Sequence, residues 1–285
     1  MVRKLSLFDN KVARRILVSF ILAALIPIGV LGLLSYQQVG EQLRAQTVKS
    51  LHKSCKSYGM GLIERLNLAE SSLRLVAITI KKSGKGGNQI TLDHQQSLLG
   101  QFDNVAVITI DGEKKSLLGK AEFFPNLTQQ EAQEIGSSKT LIRPIIEEGT
   151  RNERLWMVVN LVENHPENGL LVGSLKPELI WDVENIEPNQ LWVIDESARL
   201  MFASDPSFKF PSEVIVKFPQ TNSGHFSWLH ADTIYVGNFR TVPVKDHFSA
   251  SDLTIILAQP ETLAFAAIQQ FSAFIRQLSC LLFLS

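Results

Sequence analysis

Residues 16–36 form an uninterrupted apolar run, ILVSFILAALIPIGVLGLLSY, which contains no charged side chain. At about 1.5 Å per helical residue, a helix of this length spans about 30 Å, the thickness of a bilayer's hydrocarbon core. A helix buried in a soluble domain is rarely apolar on every face over such a length. The run therefore predicts a transmembrane helix over residues 16–36.

The charges around this run predict its orientation. Five basic side chains precede it and only Asp9 opposes them; the basic residues are Arg3, Lys4, Lys11, Arg14 and Arg15. This excess favours a cytoplasmic tail over residues 1–15, although Lys49, Lys53 and Lys56 follow the run and make the asymmetry incomplete. The alternative is a cleaved signal peptide, whose apolar region is shorter and ends in small residues. The sequence LLSY at 33–36 is a poor cleavage context and favours an uncleaved anchor.

Composition excludes some classes of function. The formal net charge is zero, which gives no electrostatic basis for binding nucleic acid. The two cysteines, Cys55 and Cys280, form no disulfide framework and are interpreted as small hydrophobic residues. No cofactor motif, zinc spacing, nucleophile elbow or nucleotide motif occurs, so we expect neither a cofactor nor a metal, and no enzyme.

Residues 37–83 are predicted to form one long stalk helix. Apolar or semi-apolar residues recur every three or four positions, close to the period of a straight helix with one buried stripe. They are Leu51, Cys55, Tyr58, Leu62, Leu66, Ala69, Leu73, Val76 and Ile80. No proline interrupts the stretch, and the glycines at 84, 86 and 87 end it.

Two strand-rich modules are predicted to follow, at 84–187 and 188–262. The first has predicted strands at 105–110, 155–162 and 170–175, with short helices at 92–99, from 128 to 136 and from 177 to about 182. The second has predicted strands at 191–194, 200–203, 225–229, 233–240 and 253–258. Five-stranded antiparallel sheets of this size need one face covered, which a long helix packed along both would provide, so the predicted fold class is α+β.

This arrangement resembles the double Cache sensor domain of bacterial transmembrane receptors, over about residues 37–270. The segments that carry the resemblance, by their order and spacing, are DNVAVI at 103–108, NGLLVGSL at 168–175, LWVID at 191–195 and TIILAQP at 254–260. The resemblance implies two tandem PAS-like modules outside the cell, anchored in the bacterial inner membrane. It also implies a small ligand, usually bound in the membrane-distal module, which here is 84–187.

Residues 263–285 are helical in rhythm but contain Gln269, Gln270, Arg276 and Gln277. The charge-free run after Arg276 is too short to cross a bilayer. We interpret 263–285 as an incomplete second transmembrane segment, which in similar receptors leads to an output domain such as a cyclic-dinucleotide enzyme, a histidine kinase or a chemotaxis coil. The alternative is an amphipathic helix that packs back on the anchor helix. A homodimer through the stalk helix is expected.

A ligand site is predicted in the first module. Trp156, Val158 and Asn160 share one face of the strand at 155–162, and Arg143 lies within reach of that face. An aromatic wall with a cation and an amide suits a small carboxylate or another polar metabolite. The alternative is that Trp156 belongs to the core and Arg143 to the solvated surface. Trp181 and Asp182 form a second candidate at the module junction, where structural packing is the competing interpretation.

The resemblance has one gap. Amino-acid-binding members carry an Arg-x-Trp-Tyr element before these strands and an aspartate on a later strand. The sequence between Gly119 and Lys139 has no such element, and Ser174 stands where the aspartate would fall. The predicted function is therefore sensing of an unidentified small ligand, relayed by helix displacement to an output domain absent from this chain. The alternative is a self-contained, membrane-anchored binding or scaffolding protein without signalling output.

Overall fold

The computed structural model describes residues 11–82, 99–109, 111–120, 135, 139–145, 154–162, 169–205 and 221–266. The chain divides into two compact units. The first contains residues 1–49 and 261–285, and the second contains residues 50–260. Several predicted elements lie outside the described residues: the tail before residue 11, the helix over 92–98, most of the helix from 128 to 136, and the terminal segment beyond 266.

The N-terminal part of the chain is a single long helix, α1 (Lys11–Lys82). Within the second unit, its apolar stripe is buried against the two sheets, as the helical period predicts. The buried stripe runs through Leu51, Cys55, Tyr58, Leu62, Leu66, Ala69, Leu73 and Val76, and Ile80 is partly buried. Burial of this stripe removes apolar surface from water and is the main contribution of α1 to the stability of the unit.

The first sheet has five antiparallel strands in the order β2-β1-β5-β4-β3. They are β1 (Phe102–Ile108), β2 (Lys114–Leu118), β3 (Leu141–Ile145), β4 (Arg154–Asn160) and β5 (Leu170–Leu175). A short helix, α2 (Pro177–Trp181), and a 3-10 helix (Val183–Ile186) then connect this sheet to the second one.

The second sheet repeats the topology of the first, with the order β7-β6-β10-β9-β8. Its strands are β6 (Gln190–Asp195), β7 (Leu200–Ala203), β8 (Ser223–His230), β9 (Thr233–Val242) and β10 (Leu253–Pro260), with a 3-10 helix (Val244–Asp246) before β10. Two antiparallel sheets of the same order beside one long helix agree with the predicted pair of PAS-like modules.

Each sheet packs one face into a core shared with α1. The first sheet contributes Leu155, Met157 and Val159 of β4 to this core, and the second contributes Val193 and Ile255. The opposite faces form separate apolar clusters. On the second sheet that cluster is aromatic, with Trp192 and Trp228 packed edge to face at 6.1 Å. On the first sheet it contains Trp156 and Val158.

Two strands of the first sheet were not predicted as strands. β2 is short and carries two lysines, and β3 contains Pro144. Both are edge strands, where a missing N–H and charged side chains are tolerated because only one edge needs a hydrogen-bonding partner.

In the first unit, the short helix α3 (Glu261–Ala264) follows β10 and contacts the Lys11–Lys49 portion of α1. The hydroxyl of Thr47 donates to the carbonyl of Ala264 at 3.2 Å, and the guanidinium of Arg44 lies 5.3 Å from the ring centroid of Phe265.

Of the helices in the ranges described, none combines the length and the apolar character needed to cross a membrane. Membrane anchoring through residues 16–36 stays a prediction.

Candidate ligand-binding site

The first sheet has an outer face, which is the face opposite its contact with α1. Alternate residues of β4 point to opposite sides of the sheet, so Trp156, Val158 and Asn160 lie on this outer face. Arg143 lies on the same face because it is directly opposite Trp156 in the β3–β4 pair. All three residues of the first predicted site thus lie on the outer face. Arg143 and Trp156 are directly opposite each other, and Asn160 lies four residues along the strand from Trp156.

The register of the sheet adds two residues to this site. Trp156 is opposite Ser174 in the β4–β5 pair, and Ser174 is opposite Asn104 in the β1–β5 pair. Neighbouring strands are about 4.8 Å apart, so these positions form a continuous line across four strands. We call this line the polar row, and it consists of Arg143, Trp156, Ser174 and Asn104.

Ser174 is the most informative member of the polar row. Its side chain is fully buried, at 0% exposure, and its hydroxyl has no hydrogen-bond partner among the residues that the structure describes. A buried hydroxyl without a partner costs about 1–3 kcal/mol relative to one that is hydrogen-bonded. A polar atom of a bound molecule on the outer face would supply that partner.

Asn160 marks the other end of the outer face. Its Nδ2 donates to the carbonyl of Ile135 at 2.7 Å, while its Oδ1 has no hydrogen-bond partner from any described residue. Ile135 itself is buried in the same cluster as Trp156 and Val158. The middle of the outer face is therefore apolar and each end carries a polar group, an arrangement that orients a ligand.

The charges near the polar row favour a ligand with an acidic group. Arg143 places a guanidinium in the row, and Trp156 and Ser174 both carry hydrogen-bond donors. The carboxylate of Asp103, next to Asn104, forms an ion pair with Arg154 at 3.4 Å. Because this carboxylate is neutralised by Arg154, the row presents a net donor character.

Trp181 and Asp182 lie elsewhere, at the end of α2 between the two modules. The indole of Trp181 stacks on Phe202 of β7 with a centroid distance of 5.0 Å, and Tyr58 of α1 donates its hydroxyl hydrogen to the Trp181 carbonyl. The Asp182 carboxylate pairs with Arg65 of α1 at 3.3 Å. These contacts assign the two residues a packing role, and the structure does not bring them to the outer face.

The same junction perturbs the titration of Tyr58. Burial raises the pKa of this phenol, and the nearby Arg65 guanidinium opposes the shift only in part. The guanidinium of Arg65 also donates from Nε to the Ile180 carbonyl at 2.9 Å. Tyr58 and Arg65 thus hold the connecting segment against α1 through contacts with three consecutive residues, Ile180, Trp181 and Asp182.

Cys55 is buried in α1 and donates its thiol hydrogen to the Asn238 carbonyl at 3.2 Å. Burial raises the pKa of this thiol to about 12, so the side chain is a neutral hydrophobic residue at physiological pH. Over the described part of the chain, no group of three His, Cys, Asp or Glu residues is arranged to hold a metal ion.

Sequence reasoning missed Asn104 and recognised Ser174 only as a departure from the family pattern. A signal for Ser174 was present, because a serine inside the apolar strand segment LLVGSL is unusual. Its alignment with Trp156 and Arg143 depends on the strand register of the β3–β4 and β4–β5 pairs. The sequence does not specify that register across the two connections.

No family model and no curated protein matches this chain. Solved structures do match it. The ligand-binding domain of the Campylobacter jejuni chemoreceptor Tlp3, in complex with 4-methylisoleucine, has a TM-score of 0.56 and 12% identity, covering 78% of this chain and 94% of that one. The ligand-binding domain of the Pseudomonas fluorescens chemoreceptor CtaA, in complex with L-isoleucine, has a TM-score of 0.53 and 14% identity, covering 80% and 98%.

A third similar structure is the ligand-binding domain of the Pseudomonas aeruginosa PAO1 chemoreceptor PctB, in complex with L-Arg. It has a TM-score of 0.51 and 15% identity, and the match covers 76% of this chain and 97% of that one. All three matches extend over nearly the whole of the solved domain, and at this level of identity they establish the fold alone. The chain has the fold of the double Cache sensor domains of bacterial chemoreceptors.

Proposed function

We propose that this chain is the ligand-sensing region of a membrane signalling receptor and that the outer face of the first sheet holds the ligand. The observation that carries the proposal is the polar row, in which the buried Ser174 hydroxyl, beside Trp156 and Arg143, has no hydrogen-bond partner in the described ranges of the chain. Buried polar groups in native proteins are nearly always hydrogen-bonded, so we expect this hydroxyl to be completed by a polar atom of a bound molecule or by an ordered water.

The proposed ligand is a small carboxylate or another small polar metabolite. A guanidinium recognises a carboxylate by charge-assisted hydrogen bonds, and the hydroxyl of Ser174 adds a further donor. The apolar centre of the outer face, formed by Val158, Val172 and Ala106, suits an aliphatic portion of the ligand. The function is binding without chemistry, which the ligand-binding role of the similar solved domains supports.

In this proposal residues 16–36 anchor the chain in the inner membrane of a bacterium, with the two modules outside the cytoplasm. Ligand binding favours one conformation of the first module, and the resulting displacement of the helices reaches an output domain outside these 285 residues. The size of the response is limited by the difference in ligand affinity between the two conformations.

A second copy of the chain is the proposed partner along α1. Within residues 50–82 of α1, four large apolar side chains are exposed: Met60, Leu68, Leu75 and Ile78. Apolar side chains repeated on one side of a helix are stabilised when a second helix covers them. Sedimentation of the full chain in detergent tests this: the wild type should be a dimer and Leu68→Glu with Leu75→Glu a monomer, whereas a monomeric wild type would contradict it.

The ligand-binding proposal is tested by a thermal-shift screen of the detergent-solubilised full chain against small carboxylates, hydroxy acids, amides and amino acids. At least one compound should raise the melting temperature, because a ligand that binds only the folded state stabilises it. Arg143→Ala should abolish that shift, while Lys115→Ala, which removes an exposed cation of β2 on the other face of the sheet, should retain it. A screen without any shift, or equal shifts for both variants, would remove the basis of the proposal.

The membrane arrangement has its own test. Reporter fusions after position 120 should show activity only for a reporter that works outside the cytoplasm. Activity of a cytoplasmic reporter at that position would contradict the proposed extracytoplasmic location without bearing on ligand binding.

A further inference from the structure

The outer edge of β3 is the place where the first sheet meets the second module. The N–H of Ser249 donates to the carbonyl of Thr140 at 2.9 Å, and the N–H of Ile142 donates to the carbonyl of Ser249 at 3.2 Å. Together they form a parallel bridge between Leu141 and Ser249. Ser249 belongs to the segment between the 3-10 helix Val244–Asp246 and β10, so one residue of the second module extends the first sheet by a bridge.

The side chains of β3 point alternately to two different environments. Arg143 lies on the outer face opposite Trp156, and Leu141 belongs to the same cluster as Trp156. Ile142 and Pro144 lie on the other side, where they line a cleft between the modules. A displacement of β3 therefore moves a residue of the polar row and the wall of the cleft together.

β3 borders an incompletely filled cleft. The cleft holds a cavity of about 40 Å³ that is partly open to solvent, and its opposite wall is formed by the second module. The residues of that wall are Asp195, Arg199, Met201, Val244, Ala250, Ser251 and Leu253. Close-packed interiors resist displacement, whereas a strand beside an incompletely filled cleft shifts at lower cost in free energy.

Thr140, the residue before β3, is also bound to α1. Its hydroxyl donates to Glu70 Oε1 at 2.5 Å and accepts from Arg74 Nη2 at 3.0 Å, while Arg74 Nε pairs with the same Glu70 oxygen at 2.8 Å. β3 thus contacts three parts of the molecule: the polar row through Arg143, α1 through Thr140, and the second module through Ser249.

We propose that β3 and its bridge to Ser249 couple the outer face of the first sheet to the second module. A molecule that binds Arg143 biases the position of β3, and the two main-chain hydrogen bonds pass this bias to residues 244–252. This segment leads directly into β10, which continues along the chain into α3. The inference rests on the proposed ligand site at the polar row, and it names the element through which that site acts.

Hydrogen exchange on the full chain tests the coupling without a ligand, because substitution of Arg143 perturbs the polar row directly. Arg143→Ala is placed in two backgrounds. Ser249→Pro removes the N–H that donates to Thr140, whereas Ser249→Ala keeps both main-chain hydrogen bonds and serves as the matched control. In the Ser249→Ala background, Arg143→Ala should change exchange at residues 244–252 by at least about threefold, and in the Ser249→Pro background the change should disappear.

A second arm covers the possibility that Ser249→Pro does not fold. Leu141→Cys with Ser249→Cys, in a chain carrying Cys280→Ser, places two thiols at bridge partners whose backbone spacing suits a disulfide. After oxidation, exchange at 244–252 should no longer respond to Arg143→Ala, and reduction should restore the response. The coupling would be overturned if Arg143→Ala changed exchange at 244–252 equally with the bridge intact, removed and locked, or changed it in none of these forms. That result would leave ligand binding in the thermal-shift screen unaffected.

Discussion

The Ser174 side chain lies directly across the β4–β5 pair from Trp156, and its fully buried hydroxyl has no hydrogen-bond partner in the part of the chain that the structure describes. Ser174→Ala removes this unsatisfied group, so without ligand the free energy of unfolding should stay equal or rise by about 1 kcal/mol. Urea unfolding followed by tryptophan fluorescence measures the change.

Ser204→Ala is the matched control for that prediction. The Ser204 hydroxyl accepts the N–H of Leu191 at 2.9 Å, so its removal leaves a main-chain donor unpaired and should destabilise the protein by about 1 kcal/mol. If Ser174→Ala is as destabilising as Ser204→Ala, the Ser174 hydroxyl has a partner in solution even without a ligand.

Gly59 allows α1 to approach the second sheet closely. A Cβ atom at this position would lie 2.8 Å from Cγ2 of Val242 and 3.5 Å from Cδ1 of Ile255. Alanine is the better helix former by about 1 kcal/mol, but crowding in a packed core costs about 1–3 kcal/mol. Because Val242 is β-branched and buried, the crowding should dominate, and Gly59→Ala should lower the urea midpoint.

Gly40 provides the comparison on the same helix. Apart from the helix's own nearby backbone, no described atom lies within 4 Å of a Cβ added there, so Gly40→Ala should leave the urea midpoint unchanged or raise it. Equal midpoints for Gly40→Ala and Gly59→Ala would show that α1 and the second sheet are less closely packed than the structure indicates.

The turn between β8 and β9 contains two non-glycine residues with positive φ, Ala231 at 45° and Asp232 at 62°. This left-handed conformation costs about 1–2 kcal/mol for a residue such as alanine, and Asn-Gly is the pair that best fits such a turn. Ala231→Asn with Asp232→Gly should therefore raise the melting temperature. Ser197→Gly, at a turn residue without positive φ, should lower the melting temperature. A lower melting temperature for the β8–β9 double variant than for Ser197→Gly would contradict the left-handed conformation of this turn.

The buried thiol of Cys55 predicts a dependence of stability on alkaline pH. In the unfolded chain the thiol ionises near 9.0, whereas in the folded protein burial raises its pKa to about 12. Above pH 9 the unfolded state therefore loses this proton first and is favoured. The contribution of the thiol to stability is complete below pH 9 and falls by up to about 1.4 kcal/mol per pH unit as the pH approaches 12.

Cys55→Ala should reduce the decline of the urea midpoint between pH 9 and 10.5. The midpoints of each variant are compared with its own midpoint at pH 7.5, so that the pH-independent effect of the substitution cancels. Ser72→Ala, which removes a buried hydroxyl of the same helix that does not ionise in this range, should keep the slope of the wild type. Tyr58 contributes a decline of its own above pH 10, since burial raises its pKa as well, so the slope of Cys55→Ala is reduced and does not vanish. Identical slopes for the wild type and Cys55→Ala would show that the thiol is accessible.

The elements that could be predicted from the sequence are those with a strong local pattern. The stripe from Leu51 to Val76 is periodic over seven helical turns, and β4 and β5 are rich in branched apolar residues. In these elements the local sequence pattern and the tertiary packing favour the same secondary structure. β3 contains Pro144 and has weak strand character of its own. It is stabilised by the neighbouring strand β4 on one edge and by the Ser249 bridge on the other, and the residue that makes this bridge is distant in sequence.

The candidate site was predictable only in part for the same reason. The shared face of Trp156 and Asn160 follows from the two-residue period of a strand, which requires no partner. The alignment of Arg143 and Ser174 with Trp156 depends on pairings with two other strands. The lack of a partner for the Ser174 hydroxyl is a property of the folded surroundings, and no sequence pattern encodes it.

The measurement that tests the central claim most directly is calorimetric titration of the full chain with the compound that gives the largest thermal shift. We predict that Arg143→Lys and Ser174→Ala each weaken its affinity by about tenfold or more, because each removes a hydrogen bond to the ligand, whose loss is worth about 1.4 kcal/mol. Lys115→Ala should bind like the wild type. Wild-type affinity in both Arg143→Lys and Ser174→Ala would show that the ligand does not bind at the polar row.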